Sequence, residues 1–437
     1  MVEERRPIVA KRVAMFVFNE VDHDRRVLKE ADALAAAGWS VTIHGIRKGG
    51  FATGDRRQRP SGVEIVRHGL TPRPALPPGW HPLLSLVVAP AYLLCLVGTA
   101  ALARLGLGLG RQARSAIGLW AWGTAAARAA AGADVLHAHD LSGGVPALFA
   151  ARVSGAPLVY DSHEVFLESG HWARAPRLVR SFMAERIERP LLRRAAALVT
   201  VNPAVEAELG RRYDLPVRRA VVYNCVEVRE LSPRPTELRD AMGVGPETPV
   251  ALYHGGLSPV RGLRQIVSAA LDPRMAAIHF AFLGYGPMER ELRELAARPE
   301  SGGRIHVLKA VSPDVLDRWV AGADVGLMPN QHETLNEYVS TPNKLFESIG
   351  VGVPVVSSDF PERRRIVADG PEGPLGALCD PADPADIARA ILEVVGGAPG
   401  DRDAFRRRCL AAARARWNWD SQAESLIHLY GELVAVR

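Results

Sequence analysis

The chain has 437 residues, too many for one ordinary hydrophobic core, so two domains are expected. Hydrophobic residues make up 48% and charged residues 23%, which is the balance of a folded globular protein rather than a disordered or fibrous one. The formal net charge of +6 suits anionic small molecules or an anionic surface; no stretch interleaves aromatics with dense basic residues, which argues against nucleic acid as a partner. Cys95, Cys225, Cys379 and Cys409 are scattered without disulfide or metal-ligand spacing, pointing to a reducing compartment and away from zinc. The charged start "MVEERRPIVAKRVAMFVF" runs straight into a strand, so no secretory signal is expected.

In chain order, "KRVAMFVF" (Lys11 to Phe18) reads as a buried parallel strand. The helix "DRRVLKEADALAAAG" follows, with Val27, Ala31, Leu34 and Ala35 on one face, and then the strand "WSVTIHGI". The alternation resumes with "ADVLHAHD", a helix, "APLVYDSHE", a long basic-acidic helix, "ALVTVN" and "AVVYNC". "EVRELSPRPTELRDAMGVGPE" reads as a polar linker, after which the rhythm restarts with "PVALYHGG", "RGLRQIVSAAL", "IHFAFLGYG", "RIHVLKA", "VGLMP" and "VPVVSS". Two alternating modules predict two doubly wound α/β sheets facing a cleft. The boundaries fall at 1–225 and 226–408, and a final segment, 409–437, is expected to pack back on the first domain. The arginine-rich runs "PERRRI" and "FRRRC" read as solvated helix faces.

One segment breaks the rhythm. Residues 82–103 carry no charge over 22 positions, about enough to span a bilayer as a helix. A single crossing would separate strands that belong to one sheet, and Pro90 interrupts the run. The alternatives are an element lying on the membrane, flanked by Arg104, Arg111 and Arg114, or an ordinary buried helix; membrane contact is the favoured expectation.

Ligands of open α/β sheets sit beyond the carboxyl ends of the strands. Asn19, the "HAHD" of His137 to Asp140, the "DSHE" of Asp161 to Glu164, the "HGG" of His254 to Gly256 and the "GYG" of Gly284 to Gly286 all fall at such ends. Any one of these is equally readable as a helix cap, but five together point to a lined cleft. Gly255-Gly256 followed by Arg261 resembles a phosphate site, with backbone approach allowed by glycine and charge supplied by arginine. No phosphate-loop lysine motif and no GxGxxG after the first strand is present, which removes the usual support for kinase and dehydrogenase readings.

In "STPNKLFESIGVGVPVVSSD", Ser340 or Thr341 is expected to cap a short helix whose first position suits Pro342. Leu345, Phe346 and Ile349 face a core. Asn343, Lys344 and Glu347 gather an amide, a cation and an acid at its start, an arrangement suited to a phosphate and to the paired hydroxyls of an attached sugar. A surface Lys344–Glu347 ion pair is the bland alternative.

With these landmarks in place, the chain resembles the family 4 retaining glycosyltransferases of GT-B fold from about Arg12 to Tyr430. The resemblance rests on "HDRRVLKEADALAAAGWSV", "DVLHAHD", "PLVYDSHE", "YHGGLSPVRG", "FLGYGP", "ADVGLMP" and "TPNKLFESIGVGVPVV" in order and spacing. It implies a transferase of hexosyl type, with a nucleotide-sugar donor held mainly by the second domain and a glycan or lipid-linked acceptor held by the first. It implies no cofactor and no metal. His139 matches the histidine against the transferred sugar, which polarises or positions it rather than attacking. Arg261 matches the basic residue of the diphosphate pair, Gly284, Tyr285 and Gly286 the loop near the nucleotide, and Glu347 the acid expected on the ribose hydroxyls, with Gly256 on the donor side. Asn343 and Lys344 belong to a "P-N-K-x-x-E" form found in a sub-group. Asp24, Arg25, Asp161, His163 and Glu164 are expected on the acceptor side of the cleft.

Two positions depart from the family pattern. The first acid of its "Glu, seven residues, Glu" pattern falls on Val339, with Glu333 and Glu337 out of register, and an arginine position falls on Gly256; Lys344 is expected to supply the missing charge. Retention is implied to proceed by same-face attack, the departing phosphate taking the acceptor's proton, at a cytoplasmic site or on the inner face of the membrane, in polysaccharide biosynthesis. The competing readings are a nucleotide-sugar epimerase on the same architecture and a non-catalytic glycosyltransferase-like subunit.

Overall fold

The computed structural model describes residues 10–47, 55–69, 108–170, 172–397 and 399–435. The uncharged run 82–103 lies outside them. Among the described residues no helix is long and apolar enough to cross a membrane. The chain divides into two compact units. The first contains the described residues up to Thr200 with Ala207–Val222 and those from Ala423 onward; the second contains Val201–Glu206 and Tyr223–Gln422.

The first unit is built on an eight-stranded sheet. In chain order its strands are β1 (Arg12–Phe16), β2 (Ser40–Ile46), β3 (Asp55–Gln58), β4 (Glu64–His68), β5 (Val135–His139), β6 (Leu158–Ser162), β7 (Ala197–Thr200) and β8 (Arg218–Val221). They are ordered β3-β4-β2-β1-β5-β6-β7-β8. All neighbours are parallel except the β3–β4 edge pair, which sequence reading did not foresee. β3 is nearly all charged and mostly exposed, so it carries no hydrophobic alternation to read. By contrast β5 and β6 are buried along their whole length, as parallel strands covered on both faces must be. Their register sets His139 directly opposite Asp161, which fixes the later chemistry by backbone pairing alone.

The Arg25–Ala36 helix turns Arg26, Val27, Glu30, Ala31 and Leu34 inward. That stripe is an ordinary apolar face at helical spacing except that it carries an arginine and a glutamate. The last helix, Trp419–Ala435, belongs to the first unit from Ala423 onward, and Tyr430 stands edge-on to Trp39 there with its ring fully buried.

The second unit holds six parallel strands: β9 (Val250–Gly256), β10 (His279–Tyr285), β11 (Ile305–Lys309), β12 (Val325–Met328), β13 (Val355–Ser358) and β14 (Gly376–Cys379), ordered β11-β10-β9-β12-β13-β14. Tyr253, Phe280, Phe282, Leu327 and Ile391 fill one side of this sheet and Leu238, Leu252 and Leu283 the other. The expected linker is not wholly polar. Glu237–Met242 is a helix whose Leu238 and Met242, one turn apart, bury against the sheet. The short helix Asn343–Ile349 has Pro342 at its N-cap and no side-chain cap, so neither Ser340 nor Thr341 plays the expected part. Pro354 has no N–H to give a ladder, and β13 begins only at Val355.

β9 and β10 come unusually close at their carboxyl ends, where Gly255 pairs with Gly284 and Gly256 with Tyr285. A Cβ on Gly284 would stand 1.9 Å from the Gly255 carbonyl oxygen, so glycine is demanded there by backbone approach. Gly284→Ala is expected to lower the stability of the second unit by about 1–3 kcal/mol. A denaturant midpoint equal to that of the wild type would contradict this packing.

Candidate active site

The first unit collects polar residues at the ends of β5 and β6, around one carboxylate. Asp161 is fully buried. Its Oδ1 accepts from Arg26 Nη2 (2.9 Å), and its Oδ2 from Arg26 Nε (3.2 Å) and faces His163 Nε2 (3.1 Å) and His139 Nδ1 (3.3 Å). Arg26 also donates to the Val222 carbonyl (2.7 Å) and pairs with Glu30 (3.0 Å). On the far side of His163, its backbone N–H donates to Asp140 Oδ1 (3.0 Å) and its Nδ1 lies 3.3 Å from Asp140 Oδ2. His137 stacks on His139, with Nδ1 against the Tyr430 hydroxyl (2.7 Å).

Charge is distributed by these contacts. Burial opposes ionisation of Asp161, but Arg26 and His163 outweigh it and hold the carboxyl well below the usual range. Burial likewise opposes a charged His163, yet Asp140 and Asp161 lift it to about 10. Burial, helped by His137, pushes His139 down to about 3, so this ring is neutral. Burial raises Glu30 to about 8 despite Arg26, and neither of its oxygens accepts a well-formed hydrogen bond. The buried Nε2 atoms of His137 and His139 have no hydrogen-bond partner either. One donor atom from each of Glu30, His137, His139 and Asp161 lies within 4.8 Å of the others, a spacing that could hold a metal ion. Arg26 is the charged partner of Asp161, while the unpartnered atoms of Glu30, His137 and His139 leave the cluster incomplete as a hydrogen-bonded network.

Sequence reading picked Asp24 and Arg25 on this side. Asp24 instead caps its own helix, accepting from Val27 N (3.2 Å) and from Asn19 Nδ2 (2.7 Å), and Arg25 is exposed. Their neighbours Arg26 and Glu30 are the ones brought to Asp161. The signal was present as an arginine and an acid one turn apart on the apolar stripe. Glu164 is engaged locally, its Oε1 accepting from the Ser169 hydroxyl. Asp140 and Tyr430 were not anticipated as partners of the histidines.

The second unit has its own cluster at the ends of β9 and β10. Lys344 is buried, with Nζ 3.7 Å from the centre of the Tyr253 ring and 3.6 Å from where a Gly255 side chain would begin. Gly255 has φ +115°, a conformation that only glycine adopts readily. Burial and then Arg261 hold Lys344 well below the usual lysine range. Glu347 Oε2 lies 2.9 Å from His254 Nε2. Asn343 Oδ1 accepts from Asn224 Nδ2 (3.0 Å). Gly256 is exposed with open space above it, and Tyr285 and Gly286 lead out of β10, Tyr285 being largely exposed.

The departures from the family pattern take physical form here. Val339 is a core residue whose carbonyl accepts from Asn202 Nδ2 (2.9 Å). Glu337, out of register in sequence, is nonetheless placed 3.3 Å from Arg261 and accepts from Asn330 Nδ2 (3.1 Å). Arg363, expected on a solvated face, is wholly buried: it donates to Ser358 Oγ (3.0 Å) and the Glu337 carbonyl (3.1 Å), and burial pushes it down to about 10. Lys344, Arg261 and Arg363 thus share a neighbourhood with Glu337 and Glu347.

Comparison with known proteins agrees with this fold. Residues 248–396 match the "Glycosyl transferases group 1" family model and residues 23–225 the "Glycosyl transferase 4-like domain" model. The alpha-D-kanosaminyltransferase of Streptomyces kanamyceticus is 22% identical over 316 residues, 70% of this chain and 79% of that protein. Among solved structures, sucrose-phosphate synthase from Thermosynechococcus elongatus superposes with TM-score 0.68 at 16% identity, covering 98% of this chain and 100% of the other. Anabaena HepE in complex with UDP-glucose gives 0.67 at 14%, covering 96% and 99%. The two sheet units are those of the GT-B fold. The chain belongs to the family 4 glycosyltransferases, enzymes that use a nucleotide-sugar donor.

Removing the charge of Asp161 leaves Arg26 buried without its main partner. Asp161→Asn is therefore expected to cost about 3–5 kcal/mol of stability, read as a fall in denaturant midpoint. Glu30 works in the opposite sense. Its folded pKa lies above the ordinary 4.5, so the native state binds the extra proton and stability falls as pH rises from 4.5 through about 8. Glu30→Gln removes this titration, and the stability gap between variant and wild type should move in the variant's favour across that window; a gap independent of pH would contradict the assignment.

Proposed function

We propose that this enzyme transfers a sugar, with retention of anomeric configuration and without a bound metal, from a nucleoside diphosphate donor to a lipid-linked or polysaccharide acceptor. The observation that carries the donor site is Lys344, a buried ammonium at a glycine-lined strand end, which forms no ion pair among the described residues and has Arg261 and Arg363 nearby. Like charges gathered under burial repel, and a diphosphate relieves that repulsion while gaining charge-assisted hydrogen bonds. The helix Asn343–Ile349 has only seven residues, so side-chain charge rather than the helix dipole is the main attraction. Glu347 is the residue for the ribose hydroxyls, and the open space above Gly256 leaves room for the nucleotide beside the Gly284 to Gly286 loop. UDP and UDP-glucose, bound by the Anabaena neighbour, are natural first probes.

In the chemical step the leaving diphosphate gathers charge, which Lys344 and Arg261 stabilise. The acceptor hydroxyl attacks on the face the phosphate leaves, and a phosphate oxygen takes its proton. His139, neutral and buried, contacts the sugar rather than attacking it. The acceptor class rests on the uncharged run 82–103; with those residues deleted, detergent-free fractionation should move the protein from membrane to supernatant.

Lys344→Ala should weaken UDP binding by on the order of 10-fold or more in calorimetry, the effect of losing one charge-assisted contact. Since Lys344 binds the diphosphate only when protonated and its pKa is lowered, wild-type affinity should decline as pH rises. Unchanged affinity in Lys344→Ala overturns the donor site. A donor screen reading released nucleoside diphosphate tests the reaction itself, and conversion of the sugar without any acceptor would mark an epimerase.

A further inference from the structure

We infer that the second unit carries a separate anion site, a pocket at the amino ends of β12 and β13 that binds the phosphate group of a small phosphate monoester. A cavity of about 360 Å³ opens there between residues 230–234 and the Pro399–Ala415 helix. That size lies within the range of small-molecule pockets. Asp324 stands just before β12 and Pro354 just before β13, and these strands run parallel to β9. The pocket is therefore at the other end of the sheet from the cluster of Gly255 and Lys344.

The arginines of this cavity divide into spent and unspent. Arg234 donates to Asp324 Oδ1 (2.9 Å) and to the carbonyls of Ala321 (2.9 Å), Gly322 (3.0 Å) and Ala323. Asp324 Oδ2 accepts from Arg239 Nη2 (2.7 Å) and Val250 N (2.8 Å), so both oxygens of this acid are taken. Glu230 is paired with Arg414. Within "FRRRC", expected on a solvated face, Arg408 is spent on the Pro374 carbonyl (2.8 Å), while Arg406 and Arg407 line the cavity. Arg402, Arg406 and Arg407 form no ion pair among the described residues. Arg406 has only a long contact with the Val351 carbonyl (3.5 Å), and burial and then Arg234 hold it below the ordinary arginine range. Arg402 and Arg406 lie one helical turn apart, both half-buried, where like charges repel. Asp403 is the acid of the cavity wall with no hydrogen bond or ion pair among the described residues. The unspent charges are thus three cations against one anion, an excess of two that matches a phosphate dianion, whereas a carboxylate would leave one cation unmatched. Forked guanidinium donors also suit the several oxygens of a phosphate. Leu231, Val351, Pro354 and Leu410 supply apolar wall for the body of the molecule.

The test is calorimetry with inorganic phosphate on the full chain, in the Lys344→Ala background so that the donor cluster does not contribute. Saturable binding is expected, weakened on the order of 10-fold or more by Arg402→Gln combined with Arg406→Gln, which removes two charge-assisted contacts. Asp403 is exposed, so Asp403→Asn should fold, and it should tighten binding by about 2–5-fold because an acid leaves the anion's surroundings. Arginines with a merely structural role would give no such gain. Affinity should also rise from about pH 6 to about pH 8 as the phosphate becomes a dianion. Glycerol phosphate should bind more tightly than inorganic phosphate, and with Lys344 restored the double arginine variant should keep wild-type affinity for UDP. Absence of saturable phosphate binding, or equal affinity in the double variant, overturns the proposal. Loss of UDP binding in the double variant overturns it too, since those arginines then serve the donor or the fold. Binding of inorganic phosphate but not of glycerol phosphate overturns the assignment to a monoester.

Discussion

The buried pair between Arg26 and Asp161 is the contact on which the chemistry of the first unit depends. A guanidinium and a carboxylate, both out of water, are tolerable only because both oxygens of the acid and most donors of the base are matched. Once that pair is in place, the surrounding charges follow. Glu30, fully buried and beside Asp161, keeps its proton; one histidine, between two carboxylates, keeps its charge; the other two stay neutral. A sheet register that sets His139 opposite Asp161 turns this electrostatic hub into a fixed orientation for an imidazole at a strand end.

The second unit solves a different problem by subtraction. Gly284 and Gly286 stand where a side chain would strike the neighbouring backbone, and beside Gly255 a lysine lies over an aromatic ring. An ammonium over the face of Tyr253 is stabilised by the ring's negative face, which helps a charged group persist under burial. Arg363 adds a second buried cation whose donors are spent on the chain around Glu337 and Ser358, so it shapes the loop carrying Glu337 as well as contributing charge. The first acid that the family pattern leads one to expect at Val339 is absent from that position, and the chain instead brings Glu337 to Arg261.

Much of this was legible in the linear chain. Buried parallel strands announce themselves as apolar runs, and their ends mark the ligand side of an α/β sheet, so His139, Asp161, His163 and Gly284 stood out by position, and Lys344 as a cation at the start of a short helix. The antiparallel edge pair did not, because charged residues of exposed strands carry no periodic signal. Asp24 and Arg25 were chosen over Arg26 because a motif gives spacing and not helical phase; the inward face of the Arg25–Ala36 helix passes through Arg26 and Glu30. Arg363 was misjudged for a related reason, since an arginine run reads as solvated until one of its members is seen to be enclosed.

What the sequence by itself determined was the alternation of strand and helix, the family, and the residue types at strand ends, since these depend on local periodicity and on motifs contiguous in the chain. Only the tertiary structure decided which of these groups touch: Arg26 with Asp161 across 135 positions, Tyr430 with His137 across 293, Lys344 beside Gly255. Those meetings decide protonation, because the pKa of a buried group depends on distances that no local pattern encodes.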